Sequence, residues 1–265
     1  METKMTSEKL DFNPSFKGLE EMVTYLTGPK GCPWDKKQTP SSLTPMLLEE
    51  CHELIEAIEN NDIENIIEEI GDVIFHLAFQ IQLANSKNLF DSGIIFQTVI
   101  DKYIRRHPHV FGGKEVENIP ELKKNWEEIK KLEKEESRSS ALDGIPKSLP
   151  SLSHAEAIQK RAANTGFDWE TLPEIDEKVI EELDELKKAK SKKEQQEEFG
   201  DLIFTLVNIA RHWGINAEQA LRESNRKFIS RFTKMEVLSS NRGQEFEKLN
   251  IKEKDSLWDE AKLLD

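Results

Sequence analysis

Along nearly the whole chain the hydrophobic positions recur every three or four residues, the spacing that gives an α-helix one apolar face. Leu47, Leu48, Leu54, Ile55 and Ile58 form one such stripe, and Val73, Ile74, Leu77, Ala78 and Ile81 form another. Alternating β-branched runs and Asn-Gly hairpin turns are absent, so nothing in the pattern asks for a strand. The pattern predicts helices over 15–27, 43–60, 62–86, 92–106 and 120–136, then over 151–164, 175–190, 193–213, 216–236 and 244–263. Between these groups lies SRSSALDGIPKSLPSLS, from Ser137 to Ser153. Its serines, glycine and prolines cannot continue a helix and predict a hinge.

The two halves repeat each other. LLEECHELIEAI from Leu47 lines up with VIEELDELKKAK from Val179, and EEIGDVIFHL from Glu68 with EEFGDLIFTL from Glu197. DKYIRR from Asp101 lines up with RKFISR from Arg226, and NWEEIKKL from Asn125 with LWDEAKLL from Leu257. The separations are 132 (182 − 50), 129 (201 − 72), 125 (231 − 106) and 132 (258 − 126) residues. Two copies are too few for a solenoid. The expectation is an all-α tandem duplication: an N-terminal domain over 1–137, a linker over 138–153 and a C-terminal domain over 154–265.

Composition narrows the function. Of 265 residues, 37% are hydrophobic, enough to supply a core, and 33% are charged with a net charge of −14. That balance argues against duplex nucleic acid or an anionic membrane as a partner. An acidic protein that handles a polyanion needs a metal ion or a local basic pocket. The best apolar runs, VIFHLAFQIQLA and LIFTLVNIA, fall short of the roughly 20 residues that span a bilayer. METKMTSEKLDFNPSF at the start has no apolar core, so no export signal is expected. Cys32 and Cys51 form no C-x-x-C pair and read as packing thiols of a reduced, cytoplasmic protein.

Each half carries E-E-x-x-E and then E-x-G-D. These are Glu49, Glu50, Glu53, Glu69 and Asp72 in the first, and Glu181, Glu182, Glu185, Glu198 and Asp201 in the second. Residues three apart on a helix share a face. A short turn near Asn60 and Asn61 makes the two helices antiparallel neighbours, so the pairs can converge. Carboxylates gathered at one spot repel and raise each other's pKa unless a cation is present, and all-oxygen donors select Mg²⁺ or Mn²⁺. A lone E-E-x-x-E would be a solvated helix face. Here the glutamates interleave with the apolar stripe, twice, at matched spacing. Glycine inside a helix costs about 1 kcal/mol relative to alanine. Gly71 and Gly200 therefore predict close packing against the helix.

Lys102 and Arg106 match Lys227 and Arg231, each pair on one helical face, where they can neutralise phosphate oxygens. Trp126 and Trp258 recur near the helical ends and suit either base stacking or core packing. His107-Pro-His109 has no second copy and reads as a turn. His52, His76, His154 and His212 show no metal or triad spacing. No P-loop, G-x-S-x-G or G-x-G-x-x-G is present.

With these residues in view the chain resembles the MazG family of nucleoside triphosphate pyrophosphohydrolases. PWDKKQT after Cys32, LEECHELIEAI, EEIGD, RRHPHVFG, SALDGIPKSLPSL, QKRAANTGFDW and EEFGDLIF carry the resemblance from about Phe16 to the end. The resemblance implies an all-α dimer of four-helix-bundle-like modules. It also implies Mg²⁺-dependent cleavage of an NTP or dNTP to the monophosphate and pyrophosphate. By resemblance, Glu182, Glu185, Glu198 and Asp201 are metal ligands, with Glu50, Glu53, Glu69 and Asp72 in the first copy. The nucleotide contacts it implies are Lys178, Glu181, Asn225, Lys227, Arg231 and Trp258. Glu181 is one choice of general base for the attacking water. The first copy departs at two nucleotide positions, with Met46 for Lys178 and Ile100 for Asn225. Two rivals share the carboxylates: a narrower pyrophosphohydrolase for dUTP, dCTP or a histidine-pathway nucleotide, and a helical interaction module with structural metal.

Overall fold

The helices start where a side chain satisfies the first free backbone N–H groups. Ser15 accepts from Gly18 N, Asp62 from Asn65 N, Asp91 from Ile94 N, and Asn216 from Gln219 N. The chain is described by a computed structural model covering residues 11–113, 115–133 and 139–264. Its secondary structure there is entirely helical. Among the described residues no helix is long and apolar enough to cross a membrane.

The chain divides into two compact units, Met1–Glu133 and Lys134–Asp265. The first holds α1 (Phe16–Thr27), α2 (Thr44–Asn60), α3 (Ile63–Asn85), α4 (Ser92–Arg106), α5 (Pro108–Phe111) and α6 (Ile119–Leu132). The second holds α7 (Ser151–Ala163), α8 (Leu172–Lys188), α9 (Lys192–His212), α10 (Ala217–Asn241) and α11 (Ile251–Lys262). In the first unit α2 packs along α3, and α1 lies against α3; in the second α8 packs along α9, with α7 and α10 against it.

The differences from the sequence reading have local causes. His-Pro-His opens α5 rather than a turn, because Pro108 sits at a helix start, where its missing N–H costs nothing. Helix α8 begins at Leu172, earlier than expected, with Thr171 and Glu174 forming a capping box and Pro173 in the first turn. Helix α10 runs on to Asn241 and is followed by Gly243 at φ 67, a left-handed conformation that glycine adopts freely. The next helix starts only at Ile251, where Asn250 and Glu253 form another capping box. Residues 1–10 and the last part of the helix expected over 120–136 lie outside the described residues.

The described part of the expected linker is held to the second unit. Asp143 accepts from Ser139 N and Ser140 N, both at 2.8 Å, and Arg161 of α7 donates to Ala141 O at 3.1 Å.

The two cores differ in polarity. Val23, Leu43, Ala78 and Phe79 make an apolar cluster in the first unit. The repeat register puts Ile175 and Val207 at the places of Leu43 and Ala78, but Asn208 at the place of Phe79. Asn208, Thr205 and Gln159 are buried, and Gln159 Nε2 donates to Phe204 O at 2.8 Å. Burying such a group costs least where it is hydrogen-bonded, as at Gln159 Nε2; Gln159 Oε1 has no hydrogen-bond partner.

Candidate active site

Helix α2 ends at Asn61 in the left-handed conformation (φ 55), and Asp62 immediately caps α3. That two-residue device reverses the chain and brings the acidic ends of α2 and α3 together. In the second unit Ala189, Lys190 and the Ser191–Glu194 capping box do the same for α8 and α9.

Among the described residues the geometry gathers two clusters whose ligand atoms lie within 4.8 Å of one another: Glu50, Glu69 and Asp72, and Glu182, Glu185 and Glu198. Glu53 and Asp201 fall outside these trios. Their charges still act on them, because Glu53 helps to raise the pKa of Glu69 and Asp201 that of Glu198. Each of the four repeat positions thus joins a cluster in at least one copy. For both Glu69 and Glu198, burial is the largest cause of the upward shift, followed by neighbouring carboxylates. Glu69 Oε2 is buried with no hydrogen-bond partner. An unpaired buried oxygen among mutually repelling carboxylates, with oxygen donors only, fits a hard divalent cation.

The raised pKa values have a consequence for stability. A carboxyl that holds its proton more tightly when folded stabilises the fold at low pH, and this contribution is lost as pH rises through the folded value. Near neutral pH without divalent cations, the clusters therefore strain the fold. Glu198→Gln is expected to raise the Tm near pH 7 in chelator, with the gain shrinking toward about pH 4. Thermal melts at both pH values check this, and an unchanged or lower Tm near pH 7 would contradict the crowding.

The remaining expected site residues sit as follows. Lys178 reaches Glu182 Oε1 at 2.7 Å and Glu181 Oε1 at 2.9 Å, and both partners hold its pKa well above the ordinary lysine value. Glu182 is buried and Glu181 is exposed. Asn225, Lys227 and Arg231 lie on α10, with Asn225 and Lys227 exposed. The Arg231 guanidinium lies over Trp258 of α11 at 5.6 Å. Trp258 also packs against the core of Met235, Leu257 and Ala261, so its core-packing role is realised. The first unit repeats the pairing, with Arg106 over Trp126 at 5.9 Å. Arg106, however, is engaged by Glu133, which accepts from its Nη2 at 2.6 Å and its Nε at 2.9 Å. Arg105 Nε adds a third bond at 2.7 Å. Glu133 is held below the ordinary carboxylate range by Arg106 first and Arg105 next. Lys102 lies 5.4 Å from the Tyr103 ring centre.

One expectation is corrected. A Cβ added at Gly71 or Gly200 would meet nothing within 4 Å, so among the described residues none packs closely there. Both glycines lie on the exposed face of their helix beside the carboxylates, not on the buried one.

His76, to which the spacing alone assigns no metal or triad role, stands beside the first cluster. It is buried, its Nε2 lies 3.7 Å from Glu50 Oε1, and its Nδ1 has no hydrogen-bond partner. It stands four residues after Asp72, one turn along the same face, and that spacing was the available signal. The spacing likewise assigns no role to Asp168. Arg211 and His212 of α9 bind it, and their hydrogen bonds and charges outweigh burial to lower its pKa.

A family model described as MazG nucleotide pyrophosphohydrolase domain matches residues 38–111. Another, described as phosphoribosyl-ATP pyrophosphohydrolase, matches residues 153–228. The chain is 43% identical over 247 residues to the Thermotoga maritima protein named nucleoside triphosphate pyrophosphohydrolase/pyrophosphatase MazG, covering 93% of this chain and 95% of that protein. It is 42% identical over 238 residues to the Escherichia coli nucleoside triphosphate pyrophosphohydrolase, covering 88% and 90%. The Bacillus subtilis protein YabN is 42% identical over 259 residues, which are 96% of this chain and 53% of YabN.

Proposed function

The chain belongs to the MazG family of nucleotide pyrophosphohydrolases, and from that membership we propose that it hydrolyses nucleoside triphosphates to the monophosphate and pyrophosphate. The reaction is Mg²⁺-dependent, accepts several bases, and serves the cytoplasmic nucleotide pool. The observation that carries the reading is the carboxylate cluster, formed in both units from the same repeated acidic motif, with two of its three positions shared.

Glu182, Glu185, Glu198 and Asp201 would hold the cation, as would Glu50, Glu53, Glu69 and Asp72 in the first unit. Mn²⁺ is an alternative ion. The bound ion supplies charge neutralisation at the phosphate oxygens and lowers the pKa of water. Glu181, exposed beside the cluster and hydrogen-bonded to Lys178, accepts the proton of the attacking water. The water oxygen bonds to the α-phosphorus as the bond to the bridging oxygen breaks. Lys178, Lys227 and Arg231 offset the charge on the departing pyrophosphate, which lowers the barrier because that charge grows along the reaction. Asn225 adds a polar contact to the nucleotide, and Trp258 offers a ring edge to the base.

A second reading has a specific observation behind it. The phosphoribosyl-ATP pyrophosphohydrolase model matches the second unit, which favours a narrower substrate. Turnover on a panel of NTPs, dNTPs and phosphoribosyl-ATP, with pyrophosphate and orthophosphate measured separately, separates the two. Several accepted bases support the broad reading, and a single accepted nucleotide replaces it with the narrow one. Absence of pyrophosphate release from all of them would leave a helical interaction module.

The active form is a homodimer. Ile180, Leu183, Phe199 and Leu206 stand exposed on the helices of the second cluster, and Ile63, Ile67, Ile70 and Leu77 on α3 of the first. Apolar faces of this extent need a cover. Sedimentation at micromolar concentration is expected to show twice the chain mass, and a stable species near 30.6 kDa would count against it.

A further inference from the structure

The two carboxylate clusters differ in the cation that the chain itself supplies. Helix α8 begins at Leu172 and carries Glu182 in its third turn, whereas α2 begins at Thr44 and carries Glu50 in its second. Lys178 lies on α8 four residues before Glu182, the spacing at which side chains meet, as Met46 lies on α2 four residues before Glu50. Its ammonium reaches Glu182 Oε1 at 2.7 Å and Glu181 Oε1 at 2.9 Å, and the Glu182 side chain is 5% exposed. Glu182 is also one of the three residues whose oxygens converge. A divalent cation entering this cluster would therefore share the Glu182 carboxylate with Lys178 and sit close to that positive charge.

At the first cluster Met46 holds the equivalent position and packs against Val23, Leu43, Ala78 and Phe79. His76 Nε2 lies 3.7 Å from Glu50 Oε1, beyond hydrogen-bond distance.

We propose that Lys178 is a displaceable internal counter-ion, so that the second cluster takes its divalent cation tightly only together with a nucleotide whose phosphates accept the displaced ammonium, while the first cluster takes its cation without nucleotide. This deepens the reading of the clusters as metal sites and rests on it. The coupling is reciprocal. Cation and nucleotide each raise the other's affinity at the second cluster, because each relieves the cost the other meets. Without nucleotide, Lys178 neutralises Glu182 and part of Glu181, and the incentive to bind metal falls. With nucleotide, the same charge moves to a phosphate, where a lysine is an effective point partner.

The test uses the full chain with Glu69→Gln, which leaves only the second cluster competent. Free Mn²⁺ is titrated by electron paramagnetic resonance, with and without Lys178→Met. Removing one unit charge a few ångströms from a divalent ion is expected to tighten Mn²⁺ binding by about tenfold or more without nucleotide. Lys178→Arg keeps the charge and is expected to leave binding weak. Adding α,β-methylene ATP should tighten Mn²⁺ strongly in the Lys178 protein and much less in the Lys178→Met protein. Methionine is a good helix former, so circular dichroism should not change. Mn²⁺ affinity that is equal or weaker in Lys178→Met overturns the proposal. No Mn²⁺ binding by the Glu69→Gln protein or by Glu198→Gln, which leaves the first cluster, rejects the metal reading itself and the proposal with it.

Discussion

Glu198→Gln is expected to lower NTP turnover by at least about a hundredfold, the scale of losing one key electrostatic group at a reaction centre. Glu198 belongs to the converging trio, and both burial and its neighbours raise its pKa. The amide keeps the shape of the side chain and its place on α9 but removes its charge. The ion and the phosphate charge it offsets would then be held less well in the transition state than before. A hundredfold is about 2.7 kcal/mol of barrier. The same substitution is expected to stabilise the metal-free fold, so activity and Tm should move in opposite directions. Assays at saturating Mg²⁺ with circular dichroism alongside test this, and near-normal turnover would remove Glu198 from the ligand set.

Most of the helical architecture was legible because it rests on local rules. Apolar spacing located α1 to α4, and the caps Ser15, Asp62 and Asp91 fixed the starts of α1, α3 and α4 within a residue or so, as Asn216 did for α10. Boundaries that depended on chain ends were harder to read. Gly243 lies beyond a helix whose polar last turn carries no hydrophobic period, so α10 ran further than the pattern implied. The acidic motif was legible as a set but not as a geometry. Which three of the carboxylates meet depends on the tertiary approach of paired helices, and this brings in Asp72 in one copy and Glu185 in the other. Gly71 and Gly200 misled because a helix-breaking cost says only that something opposes a side chain there, not that the opposing group belongs to the same chain. The buried polar residues Gln159 and Asn208 were illegible for a further reason. Asn208 stands where the first unit has the apolar Phe79, and only packing shows that both polar side chains are buried.

The last expected result concerns which copy performs the chemistry. Asp201→Asn should remove most of the turnover and Asp72→Asn should leave most of it. Both copies keep the acidic positions, so the difference lies on the phosphate side. Lys178, bonded to Glu181 and Glu182, is replaced by Met46 in the first copy. Asn225 is replaced by Ile100, and this register holds along the helix, since α4 and α10 start at Ser92 and Ala217 behind equivalent caps, Asp91 and Asn216. Arg106 of the first copy donates from both Nε and Nη2 to one oxygen of Glu133 and is 14% exposed. A charge-assisted hydrogen bond contributes about 1.5–3 kcal/mol. Losing one cation and one polar contact is worth on the order of a hundredfold or more at the first site. The two single variants are assayed on the same NTP panel at saturating Mg²⁺. If Asp72→Asn abolishes activity while Asp201→Asn retains it, the chemistry belongs to the first unit, and the Arg106–Glu133 pair must open when substrate arrives.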